Sequence, residues 1–229
     1  MKSIDLIKEL EKYPIFTIND LSKLLGKSPE YVAVRVKRLL EQGRIRRIER
    51  GKYTLHEDPL IFASHIRYPS YIALWSALRF HDLTTQLPNA VFVCSPTSKK
   101  RIDFYGTDIV FVKNANPWGY KKYMHDGFEV FVSDKEKTLI DGLLTGMVPL
   151  HEVENAIREV DGKKMVEYAK RTENTSLIKR VGYLLDASGR DYKCLEKWAK
   201  YPYTVLDTHF KKDGPKNPKW KLIVNRQND

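Results

Sequence analysis

The chain has 229 residues and a formal net charge of +11, with a pI near 9.4; that length suits two domains with sizeable cores, and that charge suits a nucleic-acid partner without fixing specificity. There is no apolar run long enough to span a bilayer, and the opening MKSIDLIKEL already alternates charge with apolar positions. Neither a membrane partner nor a secretory signal is therefore expected, and the expected location is the cytoplasm. Two cysteines imply no disulfide framework; Cys94 in a strand-like run and Cys194 in a helix-like run are expected to be buried thiols.

Ile4, Leu6, Ile7 and Leu10 give a first helix one apolar face, with Ser3 as its cap and Tyr13-Pro14 as its end. A second helix starts at Thr17, with Asp20 three residues on, places Ile18, Leu21, Leu24 and Leu25 on one face, and stops at Gly26. Ser28-Pro29 opens a third helix: a capping hydroxyl precedes the one helical position where proline costs nothing. It runs to Gln42 and stops at Gly43, and Arg44 to Leu55 reads as a hairpin turning at Arg50-Gly51. This order is that of a winged helix-turn-helix.

At about 100° per residue, Val32, Val36, Leu39 and Leu40 share the buried side of the third helix. Val34 falls near the centre of the opposite side, flanked by Tyr31, Lys37 and Arg38. Arg35 lies beside the buried stripe, where it suits a phosphate or an intramolecular contact. A helix of roughly 20 Å can lie in a major groove about 12 Å wide. The stretch from Arg35 to Lys52 carries Arg44, Arg46, Arg47 and Arg50 besides its helix cations, against Glu41 and Glu49 alone. The expected DNA contacts are therefore Ser28, Tyr31, Val34, Arg35, Lys37, Arg38, Arg46, Arg47, Arg50 and Lys52. The bland alternative is an amphipathic helix pair with a solvated basic hairpin.

Leu55 to Pro59 marks the expected domain boundary, dividing the chain into 1–57 and 58–229. Beyond it, Leu60 to Ile66 is a short apolar segment, and a helix is expected from Ser70 to His81. Strands are expected at Val91–Cys94, Arg101–Tyr105, Asp108–Lys113 and Phe128–Val132, with a tight turn at Tyr105-Gly106-Thr107. Ser133 with Glu136 reads as a capping box for the helix KEKTLIDGLL, and the chain is then mostly helical to Lys200, CLEKWAKY included. Trp220 to Asn225 reads as a last strand, and Trp198, Tyr201, Tyr203 and Trp220 as core aromatics. The expected class is α+β: a small, mainly antiparallel sheet with flanking helices behind the winged helix.

No catalytic motif stands out. The six histidines show no metal-ligand spacing, and there is no CxxC, HExxH or GxSxG, so neither a cofactor nor a metal is expected. The enzymatic alternative is a metal-dependent nuclease with Asp103, Asp108 and Glu129 on neighbouring strands, although Phe131 stands where such a site wants a lysine. The basic tail, with Lys211, Lys212, Lys216, Lys219 and Lys221, is the candidate partner-facing surface.

Over nearly its whole length the chain resembles the AbiEi family of antitoxin regulators from abortive-infection (type IV) toxin–antitoxin systems. The resemblance rests on the wing Gly43 to Tyr53, on YIALWSALRFHDLTTQLP from Tyr71 to Pro88, on Glu136 to Asp141 (EKTLID), and on Lys219 to Asn225. Asp82 stands where the family pattern expects glycine. What the resemblance implies is a non-enzymatic repressor of its own operon, bound to operator DNA carrying inverted repeats. Its C-terminal domain would counteract a nucleotidyltransferase-like toxin without a stable complex being obligatory. The alternative is a stand-alone winged-helix regulator whose second domain dimerises or senses a ligand.

Overall fold

The computed structural model describes residues 3–226, with side chains from Asp5 onward; the Ser3 and Ile4 side chains, expected as cap and first apolar contact, lie outside the described residues. Three helices, α1 (Ser3–Leu10), α2 (Ile18–Leu25) and α3 (Pro29–Glu41), combine with three short strands, β1 (Phe16–Thr17), β2 (Arg46–Glu49) and β3 (Lys52–Thr54). The strand order is β1-β3-β2. Local signals set these elements. The Thr17 hydroxyl accepts the Asp20 amide at 3.2 Å while the Asp20 carboxylate accepts the Thr17 amide at 2.9 Å. Such a box satisfies two donors that the first turn of a helix leaves unpaired, a side-chain cap being worth about 1 kcal/mol. Gly26 then ends α2 at φ 60, a conformation that costs a side-chain-bearing residue about 1 kcal/mol. Leu6, Leu10, Phe16, Leu21, Val32, Val36, Leu39, Ile45 and Tyr53 close one buried cluster.

Leu24 departs from expectation: it is 40% exposed. At about 100° per residue it lies on the flank of Leu21 opposite to Ile18 and Leu25. There it borders a groove of about 460 Å³ with Leu10, Tyr13 and Phe16.

The chain divides into two compact units, neither continuous in sequence. The first gathers residues up to 72, 88–117 and 121–132; the second gathers 73–87, 118–120 and 133 onward. Besides the winged helix, the first unit carries a six-stranded sheet: β4 (Tyr71–Ile72), β5 (Ala90–Ser95), β6 (Ile102–Phe104), β7 (Thr107–Lys113), β8 (Tyr120–His125) and β9 (Phe128–Ser133). Its order is β6-β7-β5-β4-β9-β8. The sheet is mixed rather than mainly antiparallel. β5 runs parallel to β7 over six residue pairs and β4 parallel to β9, while β4–β5 and β6–β7 are antiparallel. The hairpin at Tyr105-Gly106, with φ 52 and 90, folds β6 to the sheet edge. β7 is thereby left alongside β5.

Tyr71 and Ile72, expected in a helix, form β4 in the middle of the sheet, both fully buried. A strand covered on both faces has no polar alternation to set it apart from a buried helix. β8 carries no apolar signal for the opposite reason, since it is an edge strand rich in charge (YKKYMH). Asp58-Pro59, expected to break regular structure, instead starts a 3₁₀ turn, the Asp58 carboxylate accepting the Leu60 amide at 2.9 Å.

The second unit is helical: α4 (Leu74–Phe80), α5 (Lys135–Thr145), α6 (Leu150–Ala156), α7 (Gly162–Arg171) and α8 (Thr175–Ala187), followed by a small sheet of β10 (Thr204–Val205), β11 (Lys216–Asn217) and β12 (Leu222–Ile223). Asp82, after α4, holds φ 56, so the left-handed turn that favours glycine is kept by a residue that tolerates it. The expected Ser133–Glu136 box does not form. Asp134 caps α5 by accepting the Lys137 amide at 2.9 Å, and the Ser133 hydroxyl meets Thr138 at 2.7 Å. The stretch CLEKWAKY is a 3₁₀ turn over Lys193–Trp198 instead of an α-helix, and it leaves Cys194 exposed, not buried. Trp220 is buried against Gly182 of α8, where a Cβ would overlap its ring, and its indole N–H reaches Asp186 at 2.8 Å. Tyr201, expected in the core, is 73% exposed. Among the described residues no helix is long and apolar enough to cross a membrane.

Candidate nucleic-acid interface

The Ser28 hydroxyl accepts the Tyr31 amide at 3.4 Å, and Pro29 occupies the first position of α3. Capping fixes where the helix starts and therefore which way each later residue points. Val32, Val36 and Leu39 are buried against the winged-helix core, with Leu40 partly buried beside them. The opposite face is open: Tyr31 and Val34 are each 54% exposed, and Lys37 and Arg38 are exposed beside them. Arg35 is half-buried at the border of the two faces. An outward valine between an aromatic ring and two cations offers an apolar contact for a thymine methyl, with hydrogen-bond donors on either side.

Glu30 shares the first turn. Its carboxylate accepts its own backbone amide and the Ser28 hydroxyl, which hold it below the ordinary carboxyl value.

The wing cations divide into two kinds. Arg47 and Arg50 are exposed around the turn at Gly51, with Arg47 Nε donating to the Glu49 carbonyl at 3.4 Å. Arg46 and Lys52 are tied down. Arg46 pairs with Glu57 and lies over the Tyr105 ring at 5.6 Å, while Lys52 pairs with Glu49 at 3.0 Å and donates to the Ile66 carbonyl. A paired cation adds less to a phosphate field than a free one, so Arg47 and Arg50 are the stronger phosphate candidates here. The hub role of Glu49, which also binds Lys99 at 2.5 Å, had no signal in the sequence, since its partner lies 50 residues away.

In the second unit Lys211 and Lys212 are exposed. Lys216 lies over the Tyr203 ring at 5.5 Å, and Lys221 lies over Tyr201 at 5.1 Å. Lys219 stands apart, because Asp186 at 2.7 Å, with Asp191 and Glu196 each at 3.5 Å, neutralises it locally. These contacts raise its ammonium pKa, the bond to Asp186 most of all.

The carboxylates of the nuclease alternative do not converge. Asp103 and Asp108 pair across β6 and β7, but Glu129 on β9 is separated from β7 by β5 and β4. Asp103 accepts the Gly106 amide at 3.0 Å, Asp108 binds Arg101 at 2.7 Å, and Glu129 binds Lys122 at 2.7 Å. Each carboxylate is thus used within its own hairpin. Among the described residues no cluster of three or more His, Cys, Asp or Glu side chains is placed to hold a metal ion.

Residues 5–56 match the model of a family described as transcriptional regulator, AbiEi antitoxin. A comparison with curated proteins gave no match. Among solved structures, the chain is similar to the RV2827C protein from Mycobacterium tuberculosis, with a TM-score of 0.66 at 15% identity, over 95% of this chain and 89% of that one. At that identity the likeness is one of fold. The matched segment coincides with the three helices and the wing, so the similarity to AbiEi transcriptional regulators lies in the winged helix, residues 5–56.

Proposed function

We propose that this protein is a DNA-binding repressor that serves as the antitoxin of a type IV, abortive-infection toxin–antitoxin system. In this reading α3 enters the major groove of an operator built of inverted repeats, the wing holds flanking phosphates, and the chain represses its own operon in the cytoplasm. Residues 58–229 counteract a nucleotidyltransferase-like toxin, without an obligatory stable complex, without a cofactor and without catalysis of their own. Lys211, Lys212, Lys216 and Lys221 supply the basic surface turned toward the toxin or its nucleic-acid substrate, with Lys219 contributing less. The outward face of α3, inside the segment matched to a regulator family, is the observation that carries the reading.

A second reading, a regulator that senses a small ligand, draws on one feature. A polar cavity of about 520 Å³ is lined by Glu154, Asn155, Arg158, Glu159, Ser188 and Arg226.

The test couples a reporter driven by the gene's own promoter to co-expression of a neighbouring nucleotidyltransferase-like gene. The full chain is expected to repress the reporter and restore growth. Tyr31→Ala with Lys37→Ala and Arg38→Ala is expected to lose repression and keep protection. Toxicity unchanged by the full chain would remove the antitoxin half of the proposal, and an unrepressed reporter would remove the regulator half.

A further inference from the structure

Glu49 on the wing gathers cations from distant parts of the chain. One carboxylate oxygen binds Lys52 at 3.0 Å and the other binds Lys99 at 2.5 Å. Lys52 also donates to the Ile66 carbonyl, and the next residue, Arg67, donates to the Ser98 carbonyl at 3.3 Å. These bonds draw the wing, residues 66–67 and the loop entering β6 into one surface. Lys100 and Arg101 are exposed on that loop, as Arg47 and Arg50 are on the wing. Asp108 answers Arg101. With Glu49 shared between two lysines, Arg47, Arg50 and Lys100 are the exposed cations of this joint surface that no carboxylate pairs among the described residues.

The arrangement is fixed rather than incidental. Ile48 of β2 and Phe104 of β6 share one buried cluster with Phe62, Ile66, Val93 and Phe111. Arg46 lies over Tyr105 at the end of the same hairpin. The loop before β6 is therefore held along the wing by packing at one end and by Glu49 at the other. Its residues, Thr97, Ser98, Lys99, Lys100 and Arg101, are hydroxyl and cationic types, which commonly meet phosphate oxygens. None is a large apolar residue of the kind that anchors a protein partner.

We propose that the loop from Ser98 to Arg101 is a second phosphate-binding element, flanking the wing and lengthening the contact with duplex DNA beyond α3 and the wing turn. The inference rests on the DNA-binding reading above and extends its footprint. Lys100 contacts phosphate directly, Arg101 contributes less because Asp108 holds it at 2.7 Å, and Lys99 positions the loop through Glu49. Because phosphate contacts carry no base information, the added binding is the same on every sequence.

The full chain, titrated with salt against a duplex from upstream of its own gene and against a scrambled duplex, tests this. Lys100→Ala with Arg101→Ala is expected to weaken both complexes by similar factors, at an unchanged melting temperature. The slope of log K against log salt should become shallower by about 0.9 for each phosphate that is no longer neutralised. Exchanging the two residues for each other, Lys100→Arg with Arg101→Lys, should restore the slope. If the wild type binds and Lys37→Ala weakens it while the loop variant keeps the wild-type slope, this inference is overturned alone. If the wild type binds neither duplex, the DNA-binding reading falls and takes the inference with it.

Discussion

Val34 and Val36 are two residues apart on α3 and face opposite ways, one 54% and the other 2% exposed. Folding gains little from the first and a great deal from the second. Val34→Ser is accordingly expected to change stability by less than about 0.5 kcal/mol, whereas Val36→Ser opens a cavity and buries a hydroxyl, at a cost of about 2 kcal/mol or more. Thermal melting of the two variants checks the difference. In a binding selection over randomised duplexes, Val34→Ser should shift preference at one base pair. A large fall in melting temperature for Val34→Ser would place that side chain in the core. The outward position of Val34 was legible because capping and helical period are local rules, set by Ser28-Pro29 and the spacing of Val32, Val36 and Leu39. The seating of Arg46 over a ring and of Lys52 on a carbonyl was not legible, since Tyr105 and Ile66 are brought to them by the fold and not by any local pattern.

At the scale of elements, α5 shows how a local signal can be one residue out. Asp134, not Ser133, caps it, and Glu136 instead reaches across to α7. Its carboxylate accepts the Asp161 amide at 3.0 Å and binds Lys164 at 2.8 Å, while Asp134 binds Lys164 at 3.0 Å and accepts the Tyr168 hydroxyl at 2.8 Å. Burial and the bond to Asp134 push the Tyr168 hydroxyl up to about 12. Burial alone would raise the Glu136 carboxyl, but the Lys164 ammonium and the Asp161 amide outweigh it and hold the group below its ordinary value of 4.5. A folded value below the unfolded one contributes stability that is complete above about 4.5 and lost as the pH falls through the folded value. Glu136→Gln should therefore cost about 1–3 kcal/mol at neutral pH and flatten the acid limb of the stability curve. Denaturant melts of both proteins across the acid range check this; parallel curves would mean that the carboxylate is not linked to folding. The two-residue strands β1, β10 and β11 left no sequence signal, because a pair of residues is too short for any period. The parallel pairing of β5 with β7 was equally hidden, since strand order is set by partners rather than by either strand's own sequence.

For the whole molecule, the proposed function gives DNA recognition to the winged helix and the toxin to residues 58–229. Charge is distributed in keeping with this. Exposed cations crowd α3, the wing and the loop before β6, while much of the charge in the second unit is consumed in pairs such as Lys137 with Asp141, both fully buried on α5. The tail lysines around Tyr201 and Tyr203 join Arg158, Lys163, Lys193, Lys197 and Lys200 as cations of that unit held in no ion pair among the described residues. The regulator half of the proposed function depends on whether α3 reads sequence. The most direct measurement is the affinity of the full chain, at one fixed salt concentration, for the duplex upstream of its own gene and for a scrambled duplex of the same composition. The expected result is preference for the upstream duplex by a factor of about 10³ or more. Lys37→Ala with Arg38→Ala should reduce this preference far more than Arg47→Ala with Arg50→Ala, which should weaken both complexes alike. Equal affinity of the wild type for the two duplexes would contradict sequence reading by α3.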